Sequence, residues 1–434
     1  MIDRATVSIW GQVVGAVLWD PIQEIASFQY TPEFVKNGYE LSPFKMPLDT
    51  QRIYSFIELR NIQATEENTF NGLPGLLADV LPDKYGNRLI NTWLALQGRP
   101  ENSMNPVEKL CFIGKRGMGA LEFIPATNPR VKTFNLEMDS LVQVAAAMLN
   151  KREQFIANIK KDEQKAMQDI LAIGTSAGGA RAKAIIAFNE KTGEVRSGQT
   201  TAPKGFKHYL IKLDGVDDAQ FGTTRGYGRI EMAYYHMALD AGIEMMPSRL
   251  LEENGRAHFM TERFDRTNGD IKHHIQTFCA MRHYDYNHVG QYSYEQLFQT
   301  MRELRLPYPQ AEQLFRRMVF NVLSRNCDDH TKNFAFRLQK DKEWELSPAY
   351  DLCYAYRPDS HWVSKHSLSM NGKRENFVLD DFLTVAKSMN IKKAKDIITQ
   401  IYSTVQNWKE YADRVKVYPK MAEKIRTNLP QFKL

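Results

Sequence analysis

A short polar segment carries the side chains of this chain that are best suited to chemistry. It runs from Asn326 to Asn333 with the sequence Asn-Cys-Asp-Asp-His-Thr-Lys-Asn, and we name it the polar loop. An apolar stretch precedes it at 315–323, and a strand-like stretch follows at 334–336. A further carboxylate lies downstream, at Asp351. This concentration of carboxylate, amide, imidazole and ammonium groups predicts a loop that takes part in a reaction.

The spacing of these groups favours phosphoryl transfer from ATP. That reaction needs a carboxylate to orient the attacking hydroxyl group, oxygen ligands for Mg²⁺ and cations for the phosphates. Asp328 and Asn333 are five positions apart, which is the separation of the Asp and the Asn in the catalytic loop of protein kinases. Asp351 lies where a second Mg²⁺ ligand is expected. Because short patterns recur by chance, a solvated connection in which Asp328 or Asp329 caps a turn is the alternative.

Length and composition bound the remaining possibilities. A chain of 434 residues exceeds the size at which one hydrophobic core stops growing, so we expect two or more lobes. No apolar run is long enough to span a bilayer, and the first residues lack the regions of a signal peptide. We therefore expect a cytoplasmic protein with no membrane partner. The net charge of +6 is compatible with a polyanionic partner but does not demonstrate one.

The cysteines and histidines do not form a recognisable metal site. The four cysteines, Cys111, Cys279, Cys327 and Cys353, are far apart and form no C-x-x-C pair, so neither a zinc knuckle nor a disulfide framework is predicted. Cys327 and Cys353 lie beside the polar loop and its downstream carboxylate. A small apolar packing role is expected for them, and a redox role stays open.

Two features in the middle of the chain are suited to binding phosphates. A glycine-rich turn at 174–183 leads into a strand predicted at 184–188. Backbone N–H groups of such a turn can cover the phosphates of ATP, and a plain flexible turn is the alternative. Lys212 lies in an otherwise apolar strand, where it must reach solvent, a sheet edge or an anion such as an ATP phosphate. Another glycine-rich stretch, 112–121, predicts a hairpin turn instead, because a strand follows it.

The periodicity of apolar residues predicts a β-rich first part and a largely helical second part. Hairpins are expected at 6–20 and at 250–265, and the last strand would bring backbone groups of residues 262–264 to an adenine ring. Helices are predicted at 229–241, 294–304, 311–324 and in several pieces from 379 onward. The phosphate-binding features fall in the first part and the polar loop in the second, so we expect a site between two lobes.

With both halves considered, the chain resembles the HipA family of bacterial serine/threonine-protein kinase toxins. The resemblance covers nearly the whole length and rests on segments 176–183, 208–213, 261–266, 328–334 and 348–352, with support from 76–89 and 368–373. It implies an α+β, kinase-like two-lobed fold with a β-rich N-terminal lobe, an extra N-terminal subdomain and a mainly helical C-terminal lobe. We place the subdomain at 1–130, the N-terminal lobe at 131–268 and the C-terminal lobe at 269–434.

The resemblance also implies roles for individual residues, with ATP and Mg²⁺ as the bound groups. Asp328 matches the catalytic base, Asn333 and Asp351 match the magnesium ligands, and Lys212 matches the lysine that contacts the ATP phosphates. The other positions that match the ATP site are Ala177, Gly178, Gly179, Ala180, Lys183, Glu262, Arg263, Phe264, His330, Lys332 and Tyr350.

Regulation and partners follow from the same resemblance. Ser176 matches the serine that the toxins autophosphorylate, and a phosphate there would add about two negative charges beside the glycines, so we expect phospho-Ser176 to be inactive. The family implies a small HipB-like helix-turn-helix antitoxin, operator DNA bound through that complex, and a protein substrate such as glutamyl-tRNA synthetase. Lys387 matches a DNA-contacting position, with Lys392, Lys393 and Lys395 nearby, and a solvated helix face is the alternative.

The chain departs from the patterns it resembles at informative places. It has neither the H-R-D nor the D-F-G motif of ordinary protein kinases, and Asp329 stands where a family toxin has glycine. This second carboxylate is expected either to bind metal or to be exposed. Two other functions stay open: a non-catalytic kinase-like co-repressor that works in a DNA-bound complex with its antitoxin, and a kinase that acts on small molecules.

Overall fold

The computed structural model describes most of the chain and divides it into two compact units. The described ranges are 2–36, 38–60, 69–127, 135–150, 161–175, 181–199, 201–216, 225–268 and 271–432. One unit comprises Met1–Gly228, Leu251–Gln276 and Ala280–His283, and the other comprises Arg229–Leu250, Thr277–Cys279 and Tyr284–Leu434.

The first unit begins with an antiparallel sheet. Its strands are β1 (Arg4–Ile9), β2 (Gln12–Asp20), β3 (Ile25–Tyr30) and β4 (Leu121–Ile124), in the order β3-β2-β1-β4. Trp10 and Gly11 have φ values of 49° and 80°, and two consecutive positive φ angles suit the two-residue turn of a hairpin. The hairpin predicted at 6–20 is therefore present.

Four helices accompany this sheet: α1 (Pro32–Val35), α2 (Gly75–Ala78), α3 (Lys84–Leu96) and α4 (Pro106–Ile113). The Asn105 side chain accepts a hydrogen bond from the Glu108 N–H group, and Pro106 occupies the first turn of α4, which are favourable signals for a helix start. The helix continues through residues 112 and 113, and β4 pairs with β1. The hairpin turn predicted at 112–121 is wrong, because a helix rather than a strand precedes the glycines.

A second sheet and two helices form the main core of the first unit. The strands β5 (Lys183–Phe188), β6 (Val195–Ser197), β7 (Lys207–Lys212), β8 (Ser248–Glu253) and β9 (Arg256–Glu262) have the order β6-β5-β7-β9-β8. Every residue of β5 is buried, because α5 (Met138–Asn150) and α6 (Lys161–Gly174) contribute apolar side chains to the same cluster as β5 and β7. Short strands follow: β10 (Arg266–Thr267), β11 (Ile271–Lys272) and β12 (His274–Thr277).

The second unit is mainly helical. Its helices are α7 (Tyr227–Asp240), α8 (Phe278–Arg282), which continues into the first unit, α9 (Tyr294–Glu303), α10 (Tyr308–Leu323), α11 (Leu379–Ser388), α12 (Ala394–Gln406), α13 (Trp408–Arg414) and α14 (Pro419–Asn428), with a hairpin of β13 (Ala335–Leu338) and β14 (Trp344–Leu346). In α10, Leu314, Phe315, Met318, Val319 and Phe320 are all buried, so this helix is a rigid support for whatever follows it.

None of the helices in the described ranges combines the length and the apolar character that a bilayer crossing requires.

Candidate active site

The polar loop follows directly from the buried helix α10. After the helix, Arg325 takes a left-handed conformation with φ 58°, which turns the chain sharply. The Ala355 N–H group then donates to the Arg325 carbonyl at 3.0 Å, and the Cys327 N–H group donates to the Ala355 carbonyl at 3.1 Å. The start of the loop is therefore held in an extended form against the segment that follows Asp351.

Extended backbone sends neighbouring side chains to opposite faces, and the two adjacent carboxylates obey this rule. The Asp328 side chain is 49% exposed, whereas the Asp329 side chain is 0% exposed. Only Asp328 can meet a substrate from solvent. The sequence analysis expected Asp329 to bind metal or to be exposed, and its burial excludes exposure.

The end of the polar loop folds back onto its beginning. Residues Thr331–Asn333 form a single 3-10 turn, and the Asn333 amide nitrogen donates to the Asp328 carbonyl at 2.6 Å. The Tyr350 hydroxyl donates to the Lys332 carbonyl at 2.7 Å. These bonds bring together four of the predicted site residues, and they leave the Asn333 amide oxygen as the group that can bind a cation.

His330 and Lys332 share an aromatic neighbour that the sequence did not reveal. The Tyr286 ring lies 5.1 Å from the His330 ring between centroids, and the Lys332 Nζ atom lies 5.2 Å from the Tyr286 ring centroid. His330 Nε2 is 4.0 Å from Asp328 Oδ1. Within the described ranges, the buried His330 Nδ1 has no hydrogen-bond partner, and an unpaired buried polar atom is costly. The His330 side chain as a whole is 21% exposed, so a ligand can meet the ring although Nδ1 is enclosed.

Asp351 has an unusual backbone conformation for a predicted magnesium ligand. Its φ angle is 53°, a region that Asp adopts more readily than most residues and that is often found at functional sites. The Asn326 amide donates to the Asp351 carbonyl at 3.5 Å. The described residues contain no cluster of three or more His, Cys, Asp or Glu side chains that could hold a metal. One carboxylate and one amide oxygen are nevertheless a donor set that fits Mg²⁺, which takes few protein ligands beside phosphate and water.

The buried Asp329 carboxylate is held from three sides. It accepts hydrogen bonds from the Tyr294 hydroxyl at 2.7 Å and from the Ser367 N–H group at 2.7 Å, and it lies 2.9 Å from His366 Nδ1. The Asn321 amide in turn donates to the Tyr294 oxygen at 3.0 Å. A carboxylate has about four acceptor sites, so these three contacts leave Asp329 little capacity for a metal ion.

His366 is the cationic partner of this carboxylate. Burial alone would lower the pKa of the imidazole, but the adjacent Asp329 carboxylate stabilises the charged form and raises the pKa of His366 to about 10. The other ring nitrogen, Nε2, lies 3.7 Å from Cys327 Sγ. The pair Asp329–His366 is therefore a buried ion pair at neutral pH.

The first unit places two predicted ATP-site lysines side by side. Lys183 on β5 is directly opposite Lys212 on β7 in the antiparallel register. Lys183 is 4% exposed, and the Lys212 Nζ atom lies 5.9 Å from the centroid of the Phe259 ring on β9. Directly opposite residues of an antiparallel pair lie on the same face of the sheet, so both lysines are on one face.

The segment 262–264, predicted to bind adenine, is anchored by a buried ion cluster. The Arg263 N–H group donates to the His208 carbonyl at 2.9 Å, and the Arg263 side chain donates to Asp265 at 2.8 and 2.6 Å. Burial would raise the pKa of Asp265, but Arg263 and Arg266 hold it below its usual range. The Gly119 N–H group also donates to Asp265 at 2.8 Å. Because its side chain and its N–H group are used internally, Arg263 can offer a nucleotide only its backbone carbonyl.

The remaining predicted residues divide as follows. Ser176, Ala177, Gly178, Gly179 and Ala180 lie outside the described residues. Lys387 is exposed on α11, and Lys392, Lys393 and Lys395 are exposed around the start of α12. The structure thus brings the polar-loop residues together within the second unit and the β5, β7 and β9 residues together within the first.

Comparisons with known proteins assign the chain to a family. The family model described as the HipA-like C-terminal domain matches residues 175–408, which is more than half of the chain, and the model of the HipA N-terminal domain matches residues 5–124. The chain belongs to the HipA family. No curated protein sequence matches it.

One of the solved structures that match this chain has the same overall fold. A chain in the complex of the Shewanella oneidensis MR-1 toxin-antitoxin proteins HipA and HipB with operator DNA matches with a TM-score of 0.67 and 16% identity, over 98% of this chain and 95% of that chain. The Helicobacter pylori proinflammatory kinase CtkA matches with a TM-score of 0.36 and 16% identity, over 52% of this chain and 84% of that chain. The likeness to the Shewanella structure confirms the predicted α+β, kinase-like two-lobed fold of the HipA family.

The buried ion pair predicts a specific pH dependence of stability. Because the pKa of His366 is raised to about 10 in the folded protein, its stabilising contribution is complete below the unfolded pKa of about 6.5 and is lost as the pH rises through about 10. Between these values the free energy of unfolding of the wild type should fall by up to about 1.4 kcal/mol per pH unit more than that of His366→Gln.

Urea unfolding at several pH values between about 6.5 and 10 measures this difference. The matched control is His361→Gln, which removes an exposed histidine of the same unit and should keep the wild-type pH dependence. Parallel curves for the wild type and His366→Gln would contradict the ion pair.

Proposed function

We propose that the chain is an ATP- and Mg²⁺-dependent serine/threonine-protein kinase that acts as the toxin of a toxin-antitoxin pair. The observation that carries this proposal is the geometry of the polar loop. The Asp328 carboxylate is half exposed, and the Asn333 amide is bonded to the Asp328 carbonyl. A base and a metal-ligating oxygen are thereby fixed to one short stretch of backbone.

In this proposal Asp328 orients the serine hydroxyl of the substrate and accepts its proton while the hydroxyl oxygen bonds to the γ-phosphorus of ATP and ADP leaves. Asn333 and Asp351 would hold the magnesium ion, whose role when bound is to neutralise charge on the phosphates. His330, whose side chain is partly exposed beside Asp328, and Lys332 would contact phosphate oxygens, and Tyr350 would support Lys332 through its backbone.

In the first unit, the same proposal assigns nucleotide contacts to residues of β5, β7 and the end of β9. Lys212 and Lys183 lie opposite each other and would bind the phosphates together with the backbone of Ala177, Gly178, Gly179 and Ala180. Residues Glu262, Arg263 and Phe264 would present backbone groups to the adenine ring. The buried Arg263–Asp265 contact supports this role, because it fixes the backbone at that place.

The wider proposal concerns partners. We infer a HipB-like helix-turn-helix antitoxin, operator DNA bound through the complex, and a translation component such as glutamyl-tRNA synthetase as the phosphorylated protein in the bacterial cytoplasm. Ser176 would be autophosphorylated, and its phosphate would displace the adjacent glycine-rich loop. The HipA–HipB–operator DNA assembly of the Shewanella relative supports the first two partners.

Incorporation of labelled γ-phosphate from Mg²⁺-ATP into the purified protein tests the kinase. Asp328→Asn should lower the rate by about 10²- to 10⁴-fold, the usual contribution of a general base, and Ser176→Ala should remove the label from the protein itself. The matched control is Asp341→Asn, because Asp341 is exposed, lies at a left-handed turn position with φ 61° and tolerates Asn. A rate for Asp328→Asn equal to that of the control would contradict the assigned base.

The second candidate function is a non-catalytic co-repressor in a DNA-bound complex. It is favoured by the exposure of Lys387 on α11 and of Lys392 and Lys393 just before α12. Exposed lysines grouped along one stretch of chain are suited to phosphate contacts. DNA binding alone could accompany catalysis, and the non-catalytic function is the one that stands if no phosphoryl transfer is found.

Salt dependence of operator binding tests the DNA contact. Neutralising Lys387, Lys392 and Lys393 to Gln in the complex with the antitoxin should reduce the slope of log K against log salt by about 3, if each lysine neutralises one phosphate. The matched control replaces the exposed lysines Lys340, Lys420 and Lys424 by Gln, with the same loss of charge. Equal slopes for both triple variants would exclude a DNA contact at Lys387.

A further inference from the structure

The two residues that flank Asp328 in the polar loop, Cys327 and Asp329, both point into the protein. Cys327 is 0% exposed and Asp329 is 1% exposed. Both are bound by the same distant segment. The Ser367 N–H group donates to the Cys327 carbonyl at 3.2 Å and to Asp329 Oδ1 at 2.7 Å. His366 reaches the same two residues through its ring nitrogens.

The segment that holds the loop is itself fixed. The His366 N–H group donates to the Arg374 carbonyl at 3.1 Å, and the Arg374 Nε atom donates to the His366 carbonyl at 2.6 Å. The Phe377 ring packs edge-on against the imidazole with 5.5 Å between centroids. His366 is 2% exposed, so neither its backbone nor its ring can easily move away from the loop.

On the opposite side, Asp329 is tied to the helical scaffold. Tyr294, fully buried in the first turn of α9, donates its hydroxyl hydrogen to Asp329. The Asn321 side chain from the buried helix α10 links Tyr294 to Asn326, because the Asn326 amide donates to the Asn321 oxygen at 2.9 Å. The loop is thus connected to α9 and to His366 through the Asp329 carboxylate, and to α10 through Asn326.

We propose that Asp329 and His366 act together as positioning residues that hold Asp328 in the orientation needed for phosphoryl transfer. The expected effect on catalysis rests on the proposed function, whereas the contacts of Asp329 and His366 do not. The backbone around Asp328 is fixed on both sides by groups that never touch a substrate. Loosening either group should therefore change the rate of the chemical step more than the binding of ATP. Among the proposed ATP contacts only His330 adjoins Asp329, and the others lie in the first unit, in the 3-10 turn or at Tyr350.

Steady-state kinetics of Asp329→Asn and His366→Gln test the inference. Each variant should lower kcat by about 10- to 100-fold, the scale of a displacement near 1 Å, and leave the KM for ATP within about twofold. The kcat of the double variant should lie within about threefold of the kcat of the slower single variant, because the two residues act as a unit. A kcat within twofold of the wild type in either single variant would overturn the inference.

Amide hydrogen exchange of the peptides that contain residues 326–330 distinguishes positioning from general instability. In Asp329→Asn these amides should exchange at least about tenfold faster, while peptides from α9 and α10 keep their protection. Asp381→Asn is the matched control, since it neutralises a buried carboxylate of the same unit that binds Lys373, and it should leave the loop unchanged. Faster exchange throughout the unit would overturn the inference in favour of a merely structural role.

The exchange measurement also separates the two proposals. If the wild type transfers no phosphate, the proposed function fails, and the local exchange result still decides whether Asp329 holds the loop. If the wild type is active and exchange at 326–330 is unchanged in Asp329→Asn, the positioning inference fails and the proposed function stands.

Discussion

The buried ion pair between Asp329 and His366 is the interaction on which the geometry of the polar loop depends. Extended backbone alternates its side chains, so inward anchoring of Cys327 and Asp329 directs Asp328 outward. A buried carboxylate is costly unless it is paired and hydrogen-bonded, and removal of one partner from a buried pair costs about 3–5 kcal/mol. The three bonds that satisfy Asp329 are therefore a strong constraint on where Asp328 lies.

The first unit also contains a buried carboxylate that is paired with cationic side chains. Asp265 is fully buried between Arg263 and Arg266. It also accepts a hydrogen bond from the N–H group of Gly119, which lies in the connection between α4 and β4. This cluster fixes the backbone that follows β9, next to the sheet in which Lys183 and Lys212 face each other. In both units, then, a buried and fully paired carboxylate lies next to the residues that are suited to a nucleotide or its phosphates.

Local patterns in the sequence predicted most of the helices and strands and suggested which side chains could do chemistry, whereas long-range pairing was not accessible. The spacing of Asp328, Asn333 and Asp351 identified the loop, and apolar periodicity found the helices that carry it. The pairing of Asp329 with His366 joins residues 37 positions apart, and no periodic signal marks it. The hairpin at 112–121 was predicted wrongly because the cap at Asn105, a local signal, was overlooked. The contact of Tyr286 with His330 and Lys332 was not predicted, because a tyrosine in a sequence more often indicates core packing than a place in a site.

The charge state of His366 is the most direct test of the central claim that a buried ion pair fixes the loop. The chain has 10 histidines, so selective ¹⁵N labelling of histidine, with His366→Gln for assignment, resolves this ring by NMR. We predict that both ring nitrogens are protonated at pH 8 and that the ring titrates near pH 10, as its raised pKa requires. A neutral His366 ring at pH 8 would contradict the account.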